Sequence, residues 1–261
     1  MKLNFRNYGQ EKLENFVILH GLYGSSDNWM TIARQLSQKY HVVCFDLRNH
    51  GFSPHEKSMT YNEMSVDVFD TLTDVLDINR CVLLGHSMGG KIAMTMVEMF
   101  PQLVEKLIVV DISPFDYNQQ NGVFTSHGTI LEALLKLNLE ELQSRTEADK
   151  ALEQSIPEVG LRNFLLKSLH REDGRWKWKI NINSICQHLP HIRGAVEISD
   201  KISTPTLFIK GEKSDYISNN DFENIPKKFP NSTIETVKKA GHWVHAEQPS
   251  EFLNIILKFL P

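Results

Sequence analysis

Cysteine is scarce in this chain: there are three, Cys44, Cys81 and Cys186, an odd number without C-x-x-C spacing. That excludes a disulfide framework as the organising device and leaves small buried thiols as the expectation for the two that lie in apolar runs. Long uncharged runs are missing too, since nowhere do 18 residues pass without an acidic or basic side chain, so no membrane span is expected. The opening residues Met1 to Tyr8 lack the apolar stretch of a signal peptide, which makes a reducing cytoplasm the expected address. Excess basic charge is absent, because 28 Lys+Arg are outweighed by 32 Asp+Glu, and a nucleic-acid partner is therefore not expected. With only 14 Gly and 10 Pro and no internal repeat, disordered, collagen-like and solenoid architectures fall away. What remains is an ordinary globular composition, 41% hydrophobic and 23% charged, over 261 residues, enough for one large domain or one domain with an insertion.

Short apolar β-type runs at 16–19, 41–47, 81–84 and 107–111 alternate with helical periodicity at 29–36, 64–76 and 91–100. This is the pattern of a mostly parallel sheet with helices on both faces, where strands covered on two sides read as continuous apolar runs. After Pro114 the alternation stops, and 129–135, 139–154 and 159–169 read as helices. Strand-type sequence returns at 206–209 and 233–237, and a closing amphipathic helix spans 250–260. The fold class expected is α/β, with a core formed by 1–113 and 204–261 and a helical unit inserted at 114–203.

Gly85-His86-Ser87-Met88-Gly89-Gly90 follows the run 81–84 and opens the helix near Lys91. A serine on so sharp a strand-to-helix turn needs small residues two before and two after it, and Gly85 and Gly89 stand there. The turn aims the helix N-terminus at a reacting carbonyl, where the Met88 N–H can stabilise an oxyanion. A serine hydroxyl is a weak nucleophile and needs a base, and among 11 histidines the chain order serine, acid, histidine selects His242, after the last strand, in Ala240-Gly241-His242-Trp243. His188 and His191 read as helix-surface residues, and His242, His245 and Glu247 have no further ligand grouping to make them a metal site. The second oxyanion donor is expected in His20-Gly21-Leu22-Tyr23-Gly24-Ser25-Ser26, with the Leu22 N–H partnering Met88. That loop lacks the spacing and the lysine of a phosphate cradle. No metal or cofactor is required by this chemistry.

Two aspartates compete for the third position. Asp111 closes the run 107–110, and Asp215 follows the run 206–209, in Gly211-Glu212-Lys213-Ser214-Asp215-Tyr216. The usual Gly-x-x-Asp turn would put the acid at 214, where serine stands, so Asp215 is one position late. Either carboxylate can accept the Nδ1–H of His242 and fix its tautomer.

Three segments carry a family resemblance: His20 to Trp29, Asp46-Leu47-Arg48-Asn49-His50-Gly51-Phe52-Ser53, and Gly85 to Gly90. Together they resemble the α/β-hydrolases and, within them, the small esterases of the YbfF type, over the whole chain. The second segment discriminates most, because most relatives have glycine where Asn49 stands. The resemblance implies an esterase or thioesterase acting on simple acyl esters and acyl-CoA-like thioesters beneath a helical cap. It also implies an acid in a Val-Asp-Ile-x-Pro segment, here Val110-Asp111-Ile112-Ser113-Pro114, which favours Asp111, while an aspartate at 215 leaves a shared role open. His20, Gly21, His86, Trp178 and Trp243 are expected around the substrate, a small acyl ester or thioester, in a monomer or homodimer. Leu131 to Leu142 and Trp176-Lys177-Trp178 could roof an acyl pocket, although helical leucines at this spacing are more often core and the tryptophans can simply pin the insertion to the body. Arg171, Arg175, Lys177 and Lys179 could meet a CoA phosphate, although basic residues near a turn are more often just solvated. The rivals are a ligand-binding pseudo-hydrolase, which would have no need of an oriented base, and a carbon–carbon lyase using the same three residues.

Overall fold

The computed structural model describes residues 1–118 and 125–260, without the side chains of 125 and 126. The body begins with β1 (Phe5–Tyr8), β2 (Asn15–Leu19), α1 (Met30–Leu36), β3 (His41–Phe45) and α2 (Tyr61–Asp74), followed by β4 (Cys81–His86), α3 (Met88–Met99) and β5 (Val104–Val110). Between β5 and the next strand of the main sheet stand α4 (Thr125–Lys136), α5 (Arg145–Leu152), α6 (Val159–Leu166), the hairpin β6 (Leu169–Glu172) and β7 (Arg175–Trp178), and α7 (Ile182–Arg193). The chain then completes the body with β8 (Thr206–Gly211), α8 (Asn219–Lys228), β9 (Ser232–Val237), α9 (Val244–Glu247) and α10 (Pro249–Phe259). No helix of the described residues is long and apolar enough to cross a membrane.

The main sheet has seven strands in the order β1-β3-β2-β4-β5-β8-β9, all neighbours parallel except β1 against β3. Its central strands are apolar throughout because both faces are covered. Val17 and Leu19, Cys81 and Leu83, and Leu107 and Val109 enter one core with α2 and α3. Their alternates Phe16, Ile18, Val82, Leu84, Ile108 and Val110 enter the other with α1 and α10. The period-two alternation of a strand sends successive residues to opposite faces, and here water meets neither.

The structure departs from the sequence expectation in three places. β1 carries exposed Arg6 and Asn7 between half-buried Phe5 and Tyr8, so it shows neither alternation nor an apolar run. Residues 169–178, of which only 169 belongs to an expected element as the end of the helical run 159–169, form a hairpin turning at Asp173-Gly174, both with positive φ, the geometry that an Asp-Gly turn favours. The helix expected over 139–154 is confined to α5, begun by Ser144, whose hydroxyl caps the Glu147 N–H at 3.2 Å.

The loops at the carboxyl end of the sheet are fixed from below. His20 accepts from the Leu47 N–H through Nε2 (3.0 Å) and donates from Nδ1 to Gly21 O (2.8 Å). His50 accepts from the Tyr23 N–H through Nε2 (3.2 Å) and donates from Nδ1 to Arg48 O (2.9 Å). Each ring must be neutral to serve as both acceptor and donor, and burial lowers His20 and pushes His50 down to about 3, with the neighbouring His20 acting the same way on His50. Arg48 grips Asp67 of α2 with two bonds, 2.6 and 3.0 Å. Asn49 has φ +64°, tolerable for asparagine, and its amide reaches Ser184 of α7 at 3.1 Å while its carbonyl accepts from the Asn181 N–H at 2.9 Å. A glycine there would supply the dihedral and keep the backbone bond to Asn181 but lose the side-chain tie to Ser184.

Lys91, fully buried in α3, closes the insertion at both ends. Its ammonium donates to Phe115 O (2.9 Å), where the chain leaves the body, and to Arg193 O (3.4 Å) and Gly194 O, where it returns. Replacing it with methionine keeps most of the volume but takes the donor from three half-buried carbonyls, and Lys91→Met is expected to lower unfolding free energy by roughly 2–3 kcal/mol, measured by urea denaturation.

A second expectation follows from the neutral imidazoles. Desolvation by burial also holds His86 well below its ordinary value and pushes His245 down to about 3, with the charge of His242 adding to both. Unfolded histidines titrate near ~6.5, so below that pH the unfolded chain binds more protons and stability falls as the solution is acidified toward about 3. Between pH 7 and 5.5 His50 and His245 should remove about 2–3 kcal/mol, with His20 and His86 acting in the same direction, read as the pH dependence of urea midpoints; a flat profile would contradict the neutral assignments.

Candidate active site

Ser87 sits between the last residue of β4 and the first of α3 with φ +52° and ψ −120°, a conformation outside the regions that L-residues favour. The turn is possible only because its flanks are glycine. A Cβ on Gly85 would stand 2.1 Å from Gly89 O, and one on Gly89 2.4 Å from Leu19 O. The strain is held by backbone bonds: the Ser87 N–H donates to Val110 O (2.9 Å), and Ser87 O accepts from Gly90 (2.8 Å) and Lys91 (3.2 Å). Met88 is the first residue of α3, where an N–H has no acceptor inside its own helix. Gly21 packs directly on the turn, since a Cβ there would lie 3.2 Å from the Ser87 Cβ, and Leu22 follows it on the wall of the same cavity.

His242 lies in the loop between β9 and α9. Its Nδ1 donates to Asp111 Oδ2 at 2.7 Å, which fixes Nε2 as the unprotonated nitrogen of the neutral ring. Asp111 follows β5 with φ +51° and is fully buried. Its Oδ1 accepts from the Gly211 N–H at 2.9 Å, and its Oδ2 also accepts from the Ser214 hydroxyl. Asp215 is exposed. The geometry thus pairs His242 with Asp111, and position 214, where an acid would stand in a Gly-x-x-Asp turn, supplies a hydroxyl donor to that same carboxylate.

Ser87, His242, Gly21, Leu22, His86 and Trp243 are brought together around a cavity of about 180 Å³, whereas the Met88 side chain is buried and not on its wall. His86 lines it, yet its Nε2 donates to His242 O at 2.9 Å, so it holds the histidine backbone. Two expected members are elsewhere. His20 spends both ring nitrogens on backbone groups beneath the loop and does not line the cavity. Trp178 belongs to the β6–β7 hairpin and packs against the core, again off the cavity wall. The basic residues offered to a CoA phosphate are not on the cavity wall either: Lys177 pairs with Glu172, Arg171 lies 4.9 Å over the Trp176 ring and Lys179 4.0 Å over Phe52. Of the leucine-rich stretch in α4, Leu131 and Leu134 are buried in the core, and Ile130 is the α4 aliphatic residue on the wall. His245 stacks on Trp29 at 4.0 Å, and Glu247 accepts from the Gly241 and Trp243 N–H groups at 2.8 and 3.2 Å. Among the described residues there is no cluster of three groups able to hold a metal ion.

Besides Ile130, Glu158, Leu161 and Phe164, three polar aromatic residues of the wall, Tyr23, His127 and Tyr216, were not singled out from the sequence. The Tyr216 ring stacks on His242 with centroids 3.8 Å apart and planes at 15°. His127 of α4 reaches Tyr23 OH through Nδ1 (3.1 Å) and Tyr216 OH through Nε2 (3.3 Å). Burial, followed by the His242 and Arg193 charges, pushes His127 down to about 4, so it is neutral near pH 7. A lone histidine and two tyrosines carry no spacing signal, although Ser214 was marked by its place after Gly211.

Comparison with known proteins agrees with this geometry. The family model described as the alpha/beta hydrolase fold matches residues 14–249. The chain is 42% identical over 250 residues to the sn-1-specific diacylglycerol lipase ABHD11 of Xenopus laevis, covering 94% of this chain and 78% of that one. It is 35% identical over 263 residues to esterase YbfF of Escherichia coli strain K12, covering 100% and 99%. A solved marine microorganism esterase superposes with a TM-score of 0.96 at 40% identity, over 100% of both chains. The chain belongs to the α/β-hydrolase fold family and is a carboxylic ester hydrolase of the YbfF esterase type.

Proposed function

We propose that the protein cleaves acyl esters through an acyl-enzyme intermediate, with Ser87 as nucleophile, His242 as general base and acid, and Asp111 as the group that orients His242. The observation that carries this reading is the 2.7 Å contact from His242 Nδ1 to a buried Asp111, with His242 and the strained Ser87 on one cavity wall. Ser87 Oγ attacks the acyl carbonyl as His242 Nε2 takes its proton. The negative charge that develops on the carbonyl oxygen is met by the Leu22 and Met88 N–H groups and by the positive end of α3. His242 then protonates the departing alcohol, activates a water against the acyl-serine, and returns the proton to Ser87. Asp111 stays ionised and stabilises the imidazolium in both steps. Residues 114–203 act as a cap over this site, and 1–113 with 204–261 form the catalytic body. Support for the cap role comes from its contribution to the cavity wall of His127, Ile130, Leu161 and Phe164, all from the inserted segment.

The test is hydrolysis of p-nitrophenyl esters by wild type and three variants. Ser87→Ala should lower kcat by at least about 10⁴-fold and Asp111→Asn by roughly 10³- to 10⁴-fold, while Asp215→Asn, exposed and away from His242, should stay within about 2-fold of wild type. An active Ser87→Ala variant would remove the proposal, and a dead Asp215→Asn beside a live Asp111→Asn would move the acid to 215.

A further inference from the structure

The reacting cavity ends against two aromatic rings that have space behind them. Phe164 of α6 and Trp243, the neighbour of His242, pack with ring centroids 5.4 Å apart and planes at 52°. Both line the cavity that holds Ser87, and both also line a second one of about 430 Å³ on their far side. The two compartments therefore share one wall. Both rings are half-buried, unlike Leu22 and Ile130, which close the first cavity from within the core.

The sizes decide what the wall does. At about 180 Å³ the first cavity is close to the 150 Å³ void known to hold a benzene ring. An acyl chain of roughly six carbons fills it. A longer chain must either stay outside or pass the rings, and a gap between two aromatic faces suits a thin unbranched chain better than a branched or cyclic one. Beyond the wall the compartment is open, with the two rings as its apolar surface and exposed Asn163, Lys167 and Glu247 among the residues around it. Methylenes can lie on the rings there while the polar side chains keep their water.

We propose that Phe164 and Trp243 form the chain-length partition of the acyl site, and that the distal part of a long unbranched acyl chain occupies the second compartment when the rings part. The proposal rests on the ester-hydrolase reading of Ser87 and deepens it. The aromatic wall shared by the two compartments and their sizes carry it.

Gly160 gives the decisive variant. It lies one helical turn before Phe164 on α6, lines the second compartment alone of the two, and has nothing within 4 Å of where a Cβ would stand. A tryptophan there fills the second compartment from an open position and adds a better helix former than glycine. The measurement is kcat/KM for p-nitrophenyl esters from C4 to C12, expressed as the C10-to-C4 ratio, for wild type, Gly160→Trp, Phe164→Ala, Phe164→Leu and the double variant of Gly160→Trp with Phe164→Ala. Each methylene lost from a buried position costs roughly 4-fold. Gly160→Trp should therefore lower the ratio about 10-fold or more, Phe164→Ala should raise it by a similar factor, Phe164→Leu should raise it less, and the double variant should lose the gain. Melting temperatures establish that each variant is folded, and Phe164→Leu serves if Phe164→Ala is not. A ratio unmoved by Gly160→Trp and by Phe164→Leu overturns the partition, as does a change that follows the length of the alcohol at fixed acyl group. Ser87→Ala, run on the same esters, separates the two failures: undiminished hydrolysis there sinks the serine mechanism, whereas Ser87-dependent hydrolysis with a constant ratio sinks only the partition.

Discussion

Asp111 carries a carboxylate with no exposure to water, and burying a charge costs several kcal/mol unless every lone pair finds a donor. Three donors arrive from two separate places in the chain: the Gly211 N–H and Ser214 hydroxyl at the end of β8, and His242 Nδ1 after β9. They meet because β5, β8 and β9 are parallel neighbours whose carboxyl ends lie side by side. Parallel sheets gather ligand sites at that edge for the same reason. The histidine tautomer, the direction of its free nitrogen and the closure of the loop after β8 all depend on this one buried group.

The serine side is organised by strain instead of charge. Ser87 is held at positive φ by glycines that allow backbone contacts no Cβ could enter, and by bonds from its own peptide to β5 and α3. Opposite it, the loop carrying Leu22 rests on His20 and His50, two rings that must stay neutral to do their work. Stability in acid and the position of the Leu22 N–H, the proposed oxyanion donor, are thus tied to the same imidazoles. The inserted segment is bound to this frame at Asn49 and at Lys91, so the wall it gives to the cavity is anchored to the body at both of its ends.

The parts of this arrangement that were legible in the sequence are those dictated by local backbone geometry. Gly85 and Gly89 around Ser87 announce a turn that few other residues could make, and the doubly covered strands announce themselves as apolar runs. β1 was not legible because Phe5-Arg6-Asn7-Tyr8 is an edge with no alternation, and the β6–β7 hairpin was missed because its first residue reads as the end of the helical run 159–169 and no element is assigned beyond it, despite Asp173-Gly174. The residues only tilted the choice toward Asp111, through the late position of Asp215 in its turn, since both follow strands and only pairing across the sheet decides which one His242 reaches. Ser214 illustrates the limit: its place was visible, but its donation to a carboxylate that lies 103 residues earlier is a property of the fold. His127 and Tyr216 gave no sign at all, because a histidine on an amphipathic helix and a tyrosine in a loop are ordinary until the fold brings them together.

The most direct measurement is covalent labelling with a fluorophosphonate, followed by intact-mass and peptide mass spectrometry. A phosphonyl fluoride reacts with a serine that has a base beside it and an oxyanion site to receive the P–O charge. The account predicts one phosphonyl group per chain, located on Ser87, with labelling strongly slowed in His242→Ala. Absence of label, or label on another residue with Ser87 unmodified, would contradict it.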